Sequence, residues 1–61
     1  MTYREAKRKL PRFAQGLAAN TLTVVAIRDA VLQELEQYRA GTNPLTESQV
    51  KSLNRFLEVT R

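Results

Sequence analysis

The chain has no cysteine, no histidine and no tryptophan, and only two glycines and two prolines among its 61 residues. Each absence closes off a class of chemistry. Without Cys there is neither a disulfide staple nor a thiolate nucleophile, which fits a reducing compartment. Without Cys and His, a zinc centre would have to be built from carboxylates alone, an uncommon choice for structural zinc. The missing His also removes the usual general base. The two serines, Ser48 and Ser52, fall on an expected exposed helical face with no base beside them. Gly16 and Gly41 are 25 residues apart and make no phosphate-cradling loop. So short a chain is also expected to enclose no substrate cavity of the usual size, roughly a few hundred Å³. The expectation is a protein that is not an enzyme, with no catalytic residue, no metal ligand and no cofactor.

Long apolar runs are missing too. The stretch from Leu22 to Ile27 is interrupted by Thr23, well short of the ~18 residues of a membrane-spanning helix. Gln15, Gly16, Asn20, Thr21 and Thr23 break up any signal-peptide core. A soluble, cytoplasmic protein is expected, with a membrane the least favoured partner. Its size and charge are those of accessory proteins of phage and mobile elements, an association only.

What remains is one small domain, residues 1–61. A chain of this length buries only about 60% of its unfolded surface, so its core is marginal. With disulfides and metals excluded, the remaining staple is another protein chain, in a homo-oligomer or a larger complex.

Helix signals run the length of the chain. Thr46 and Gln49 have capping-box spacing, and Leu45 with Val50 would form the hydrophobic staple around it. Upstream, Gly41 suits the left-handed residue that ends a helix, and Pro44 blocks its continuation. A connection this short joins antiparallel neighbours. Thr2 with Glu5 repeats the capping-box pattern at the start, and Asn20 or Thr21 could cap the middle helix. The pattern predicts an all-α fold of three helices over about 3–18, 21–39 and 47–60, the last two an antiparallel hairpin. Pro11 should kink the first helix or restart it.

Expected apolar stripes are Tyr3, Ala6, Leu10, Phe13 and Leu17; then Val24, Ile27, Val31, Leu35 and Tyr38; then Val50, Leu53 and Leu57, with Phe56 on the border. Val25 and Leu32 widen the middle stripe beyond one neighbour's reach, which implies burial from two sides. Arg28 and Arg39 flank them, either as snorkelling stems or as part of a protein interface formed by Val25, Arg28, Leu32 and Arg39. Tyr3 and Tyr38 read as core-edge residues with wet hydroxyls. Tyr3, Leu10, Leu17, Val24, Val31 and Tyr38 also recur every seven residues, so one long bent helix over residues 2–39, seamed like a coiled coil, is the alternative.

Charge is divided unevenly. Residues 1–12 hold Arg4, Lys7, Arg8, Lys9 and Arg12 against Glu5 alone, while residues 13–61 hold five cations and five acids. The net charge of +4 is therefore a property of the leading segment. On a helix, Arg4, Lys7, Arg8 and Arg12 gather opposite the apolar stripe, with Lys9 toward the edge. Such a basic amphipathic helix, residues 2–18, suits an anionic partner: a nucleic-acid backbone, met without sequence preference, or an acidic protein surface. A solvated face that only keeps the protein soluble is the plain alternative.

Sequence-specific DNA reading is disfavoured. A helix-turn-helix laid over residues 10–29 would present Leu22, Val25 and Ala26 to the groove, and its turn would hold Ala18 where Gly is preferred. The sequence thus points to a small binding or regulatory protein acting through its basic first helix. The alternative is an assembly subunit that docks through the apolar flank of the middle helix.

Overall fold

The computed structural model describes all 61 residues as four helices and no strand: α1 (Tyr3–Lys9), a 3₁₀ helix (Arg12–Ala18), α2 (Val24–Arg39) and α3 (Glu47–Val59). The fold is all-α, but the helix count is four because the expected first helix splits in two. Proline biases the residue before it toward extended backbone, and Leu10 has φ −64° and ψ 133°. Pro11 therefore ends α1 rather than kinking it, and the chain restarts at Arg12. The carbonyls freed by the break are met by Gln15, whose Nε2 donates to Leu10 O at 2.7 Å and to Lys7 O at 3.2 Å.

A continuous helix over residues 2–39 is excluded at two places. One is the Leu10–Pro11 break; the other is Asn20, whose φ of 66° is left-handed. α2 consequently starts three residues later than expected, and its N-cap is Thr23, not Asn20 or Thr21. The Thr23 hydroxyl oxygen accepts from the Ala26 N–H at 3.1 Å. At α1 only half of the expected box forms, with Thr2 Oγ1 accepting from the Glu5 N–H at 3.1 Å.

The α2–α3 connection matches its sequence signals. Gly41 has φ 79°; the Gly41 N–H donates to Tyr38 O and the Thr42 N–H to Gln37 O, at 3.1 and 3.0 Å. That pair of bonds is the Schellman closure of a helix end. At the start of α3, Thr46 Oγ1 accepts from the Gln49 N–H and Gln49 Oε1 accepts from the Thr46 N–H, at 3.1 and 3.0 Å. Leu45 and Val50 pack partly buried beside the core. Because Arg28, near the start of α2, reaches Leu57 O near the end of α3, the two helices run antiparallel.

α2 is the central element and packs against the other three. The core is small: Ala6, Leu10, Ala14 and Ala18 face Ile27, Val31 and Leu35 of α2 and Leu53 and Phe56 of α3. The leading segment thus docks through alanines, which let its backbone lie close to α2. Phe13 is 45% exposed, because the break and the 3₁₀ winding replace the expected 3.6-residue register with Ala14 and Ala18. On α3, Phe56 is central rather than peripheral and Leu57 is only partly buried. Tyr38 is exposed. The Tyr3 hydroxyl is not wet; it donates to Thr21 O at 2.9 Å and ties the start of α1 to the segment before α2.

The flank of α2 that carries Val25 and Leu32 is not covered within the chain. Val25 is 73% exposed and Leu32 is 49% exposed. The folded chain exposes 4546 Å², against about 4,000 Å² expected for a monomer of its mass. No helix is long and apolar enough to cross a membrane.

Candidate functional site

α1 presents Arg4, Lys7, Arg8 and Lys9 to solvent around a helix whose Ala6 and Leu10 are buried. Arg12, also exposed, opens the 3₁₀ helix, so its position relative to the other four is set by the Leu10–Pro11 link and not by helical register. Glu5 is the one acid of α1. The side-chain N–H groups that donate within the chain belong to Gln15, Arg28 and Asn43, to none of these five cations. Their charges face water. Each therefore remains available to an outside anion, at the modest energies of exposed ion pairs.

The α2 residues lie around the seam with α3. Arg28 is half-buried: its Nη2 donates to Leu57 O at 3.3 Å, while its Nε is buried without a partner. A guanidinium on the last turn of a helix meets orphan carbonyls and the negative end of the helix dipole, a stabilising placement. Leu32 and Arg39 border a shallow groove between α2 and α3, floored by Leu35 and Leu57. Val25 lies one turn before Arg28, exposed, beyond the groove. Arg28 is thereby drawn into the fold, whereas Val25, Leu32 and Arg39 stay on the surface.

A second groove continues from Asn54 and Leu57 toward the end of α3. It brings together Arg28, Lys51, Arg55 and Arg61, with Glu58 the one acidic side chain along it. Arg55 also borders a third groove, whose far wall is Lys9 and Pro11. Cations from α1, α2 and α3 thus line two grooves that share Arg55. This group was hidden in the sequence, because residues 13–61 are neutral in total and Lys51 reads as the partner of Glu47. One signal was present: Lys51 and Arg55 are four residues apart on one helix, where like charges destabilise by a few tenths of a kcal/mol.

The largest groove has a volume of about 950 Å³. It is open along its length and lined mostly by charged and polar side chains, unlike the enclosed apolar pockets that hold small molecules. No group of three or more Asp, Glu, Cys or His side chains converges anywhere in the chain. No family model, curated protein or solved structure matches the chain.

Proposed function

We infer that this is a small, non-enzymatic binding protein that engages an anionic macromolecule through Arg4, Lys7, Arg8, Lys9 and Arg12. The observation that carries the reading is the state of those five side chains: all are exposed and none bonds within the chain, while the back of α1 is held against α2 through Ala6 and Leu10. A docked helix with a free cationic front offers pre-ordered charge, so less freedom is lost on binding than for a disordered basic tail. Long-range attraction would speed encounter, and the complex would weaken with salt.

The test is charge reversal of Arg4, Lys7, Arg8 and Arg12 to Glu. Binding to a fluorescent DNA duplex and to labelled poly-L-glutamate is then followed by anisotropy. The reading expects whichever polyanion binds the native chain to be lost; retention of that binding by the quadruple variant sinks it.

A second reading is supported by the uncovered flank of α2. Val25, Leu32 and Arg39 combine exposed apolar surface with a cation, as protein interfaces do, and the chain's surface exceeds that of a typical monomer of its mass. This reading makes the protein an assembly subunit, self-associating or docked in a larger complex. Sedimentation from micromolar to millimolar concentration tests the self-associating form, and a monomer throughout argues against it.

A further inference from the structure

We propose that the cations around Arg55 form a phosphate-backbone track, along which a nucleic-acid strand or duplex runs from α1 across the end of the α2–α3 hairpin. This rests on the anionic-partner reading above and gives it a chemical class. The track consists of Lys9 on α1, Arg55 and Lys51 on α3, Arg28 from α2 and Arg61 beyond α3, in two grooves that share Arg55. Glu58 is the one carboxylate side chain along either groove.

Two observations favour a phosphodiester chain over an acidic protein. The cations are strung along two adjoining grooves rather than gathered round one pocket, which suits a partner whose charge repeats continuously. The larger groove has no aromatic lining and only Leu57 and Val59 as apolar walls, and the one aromatic along the smaller groove, Phe56, is buried in the core, whereas protein interfaces draw much of their affinity from aromatic anchors. Lys51 and Arg55, repelling each other on one face of α3, gain a shared counter-charge when a phosphate lies between them. Contacts from these cations to phosphates would hold a duplex in place without reading its sequence.

The experiment compares the native chain with Lys51→Glu/Arg55→Glu, leaving Arg28 and its bond to Leu57 intact. A charge-neutral Lys51→Gln/Arg55→Gln variant serves as a second probe, and circular dichroism verifies helix content in each. Anisotropy of a labelled 20-bp duplex of arbitrary sequence is titrated at several salt concentrations, with unlabelled poly-L-glutamate as competitor. The proposal expects the Glu variant to bind at least tenfold more weakly. It also expects the slope of log K against log salt to become shallower by about 2, close to one unit per lost phosphate contact. The Gln variant should fall between. Native-like affinity and slope in both α3 variants, with loss in the α1 quadruple variant, overturns the track and leaves the α1 reading standing. Capture of poly-L-glutamate but not of the duplex overturns the nucleic-acid assignment alone. Failure of the native chain to bind either polyanion overturns both.

Discussion

In the hairpin, the loose carbonyls at the end of α2 are met by the amides of Gly41 and Thr42, and the loose amides at the start of α3 by Thr46 and Gln49. Every one of those bonds spans five residues or fewer. The leading segment has local closures too, from Thr2 to Glu5 and from Gln15 to Leu10, but it adds longer ones: Gln15 reaches back eight residues to Lys7, and Tyr3 reaches forward eighteen to Thr21. The hairpin ends are closed by neighbours in sequence. The α1 and 3₁₀ segments are also held by being folded onto α2, where three of their four buried residues are alanines. A region held by distant and small contacts opens more readily than one held locally and by Phe56. The part of the molecule carrying the densest charge is thus also the part expected to open first.

The largest test of this contrast is Phe56→Ala. Truncating a fully buried Phe costs about 3–5 kcal/mol, a large share of what so small a domain possesses. A cooperative thermal transition should disappear, and the leading segment should lose its hydrogen-exchange protection together with the hairpin. Survival of protected amides in residues 3–18 would show the two regions to be independent, contrary to the packing of both on α2.

Gly41→Ala should cost about 1–2 kcal/mol, because its φ of 79° forces a Cβ-bearing residue into the left-handed region. For a domain of this size the melting temperature should fall by about 4–8 °C per kcal/mol. The space around the site is open, so any loss reports backbone strain and not a clash. An unchanged melting curve would mean that the hairpin turn is not set by this residue.

Tyr3→Phe removes the hydroxyl bonded to Thr21 O and should cost about 1 kcal/mol. Its location matters more than its size. Exchange should accelerate at amides of residues 3–18 and stay unchanged in α3. Equal acceleration in both would erase the distinction between the regions.

The smallest expected effect has the opposite sign. Gly16 lies in the 3₁₀ helix without a positive φ, and a Cβ there would meet nothing. Gly16→Ala should therefore stabilise by about 0.5 kcal/mol through a less flexible unfolded chain. A small rise in melting temperature checks it; a fall would point to strain in the 3₁₀ helix.

Legibility in the sequence follows the same division. The end of α2, the start of α3 and the antiparallel hairpin could be read because the signals of Gly41, Pro44, Thr46 and Gln49 act over one turn of chain. The separation of α1 from the 3₁₀ helix could be read only in part. Pro11 announces a disturbance, but whether the chain kinks or restarts depends on Gln15 finding the free carbonyls and on Ala14 and Ala18 finding α2. The candidate surface divides likewise. The α1 cations are visible as a run of charge in twelve residues. The track around Arg55 is not, because Lys9, Arg28 and Arg55 are far apart in the chain and the charges of Arg28 and Arg55 cancel against acids when counted by segment.

By itself, then, the amino-acid order determined where helices start and stop in the second half, the all-α class and the cationic front of the first segment. All three arise from interactions between residues within a turn or two, which local chemistry decides alone. Tertiary structure decided the buried register of the first segment, the inward turn of Arg28 toward Leu57 and the groove that Lys9 shares with Arg55. Those depend on which surfaces α2 brings together. The reason is physical: side-chain spacing fixes a helix's faces, but only packing against a second element selects which face is buried and which charges become neighbours.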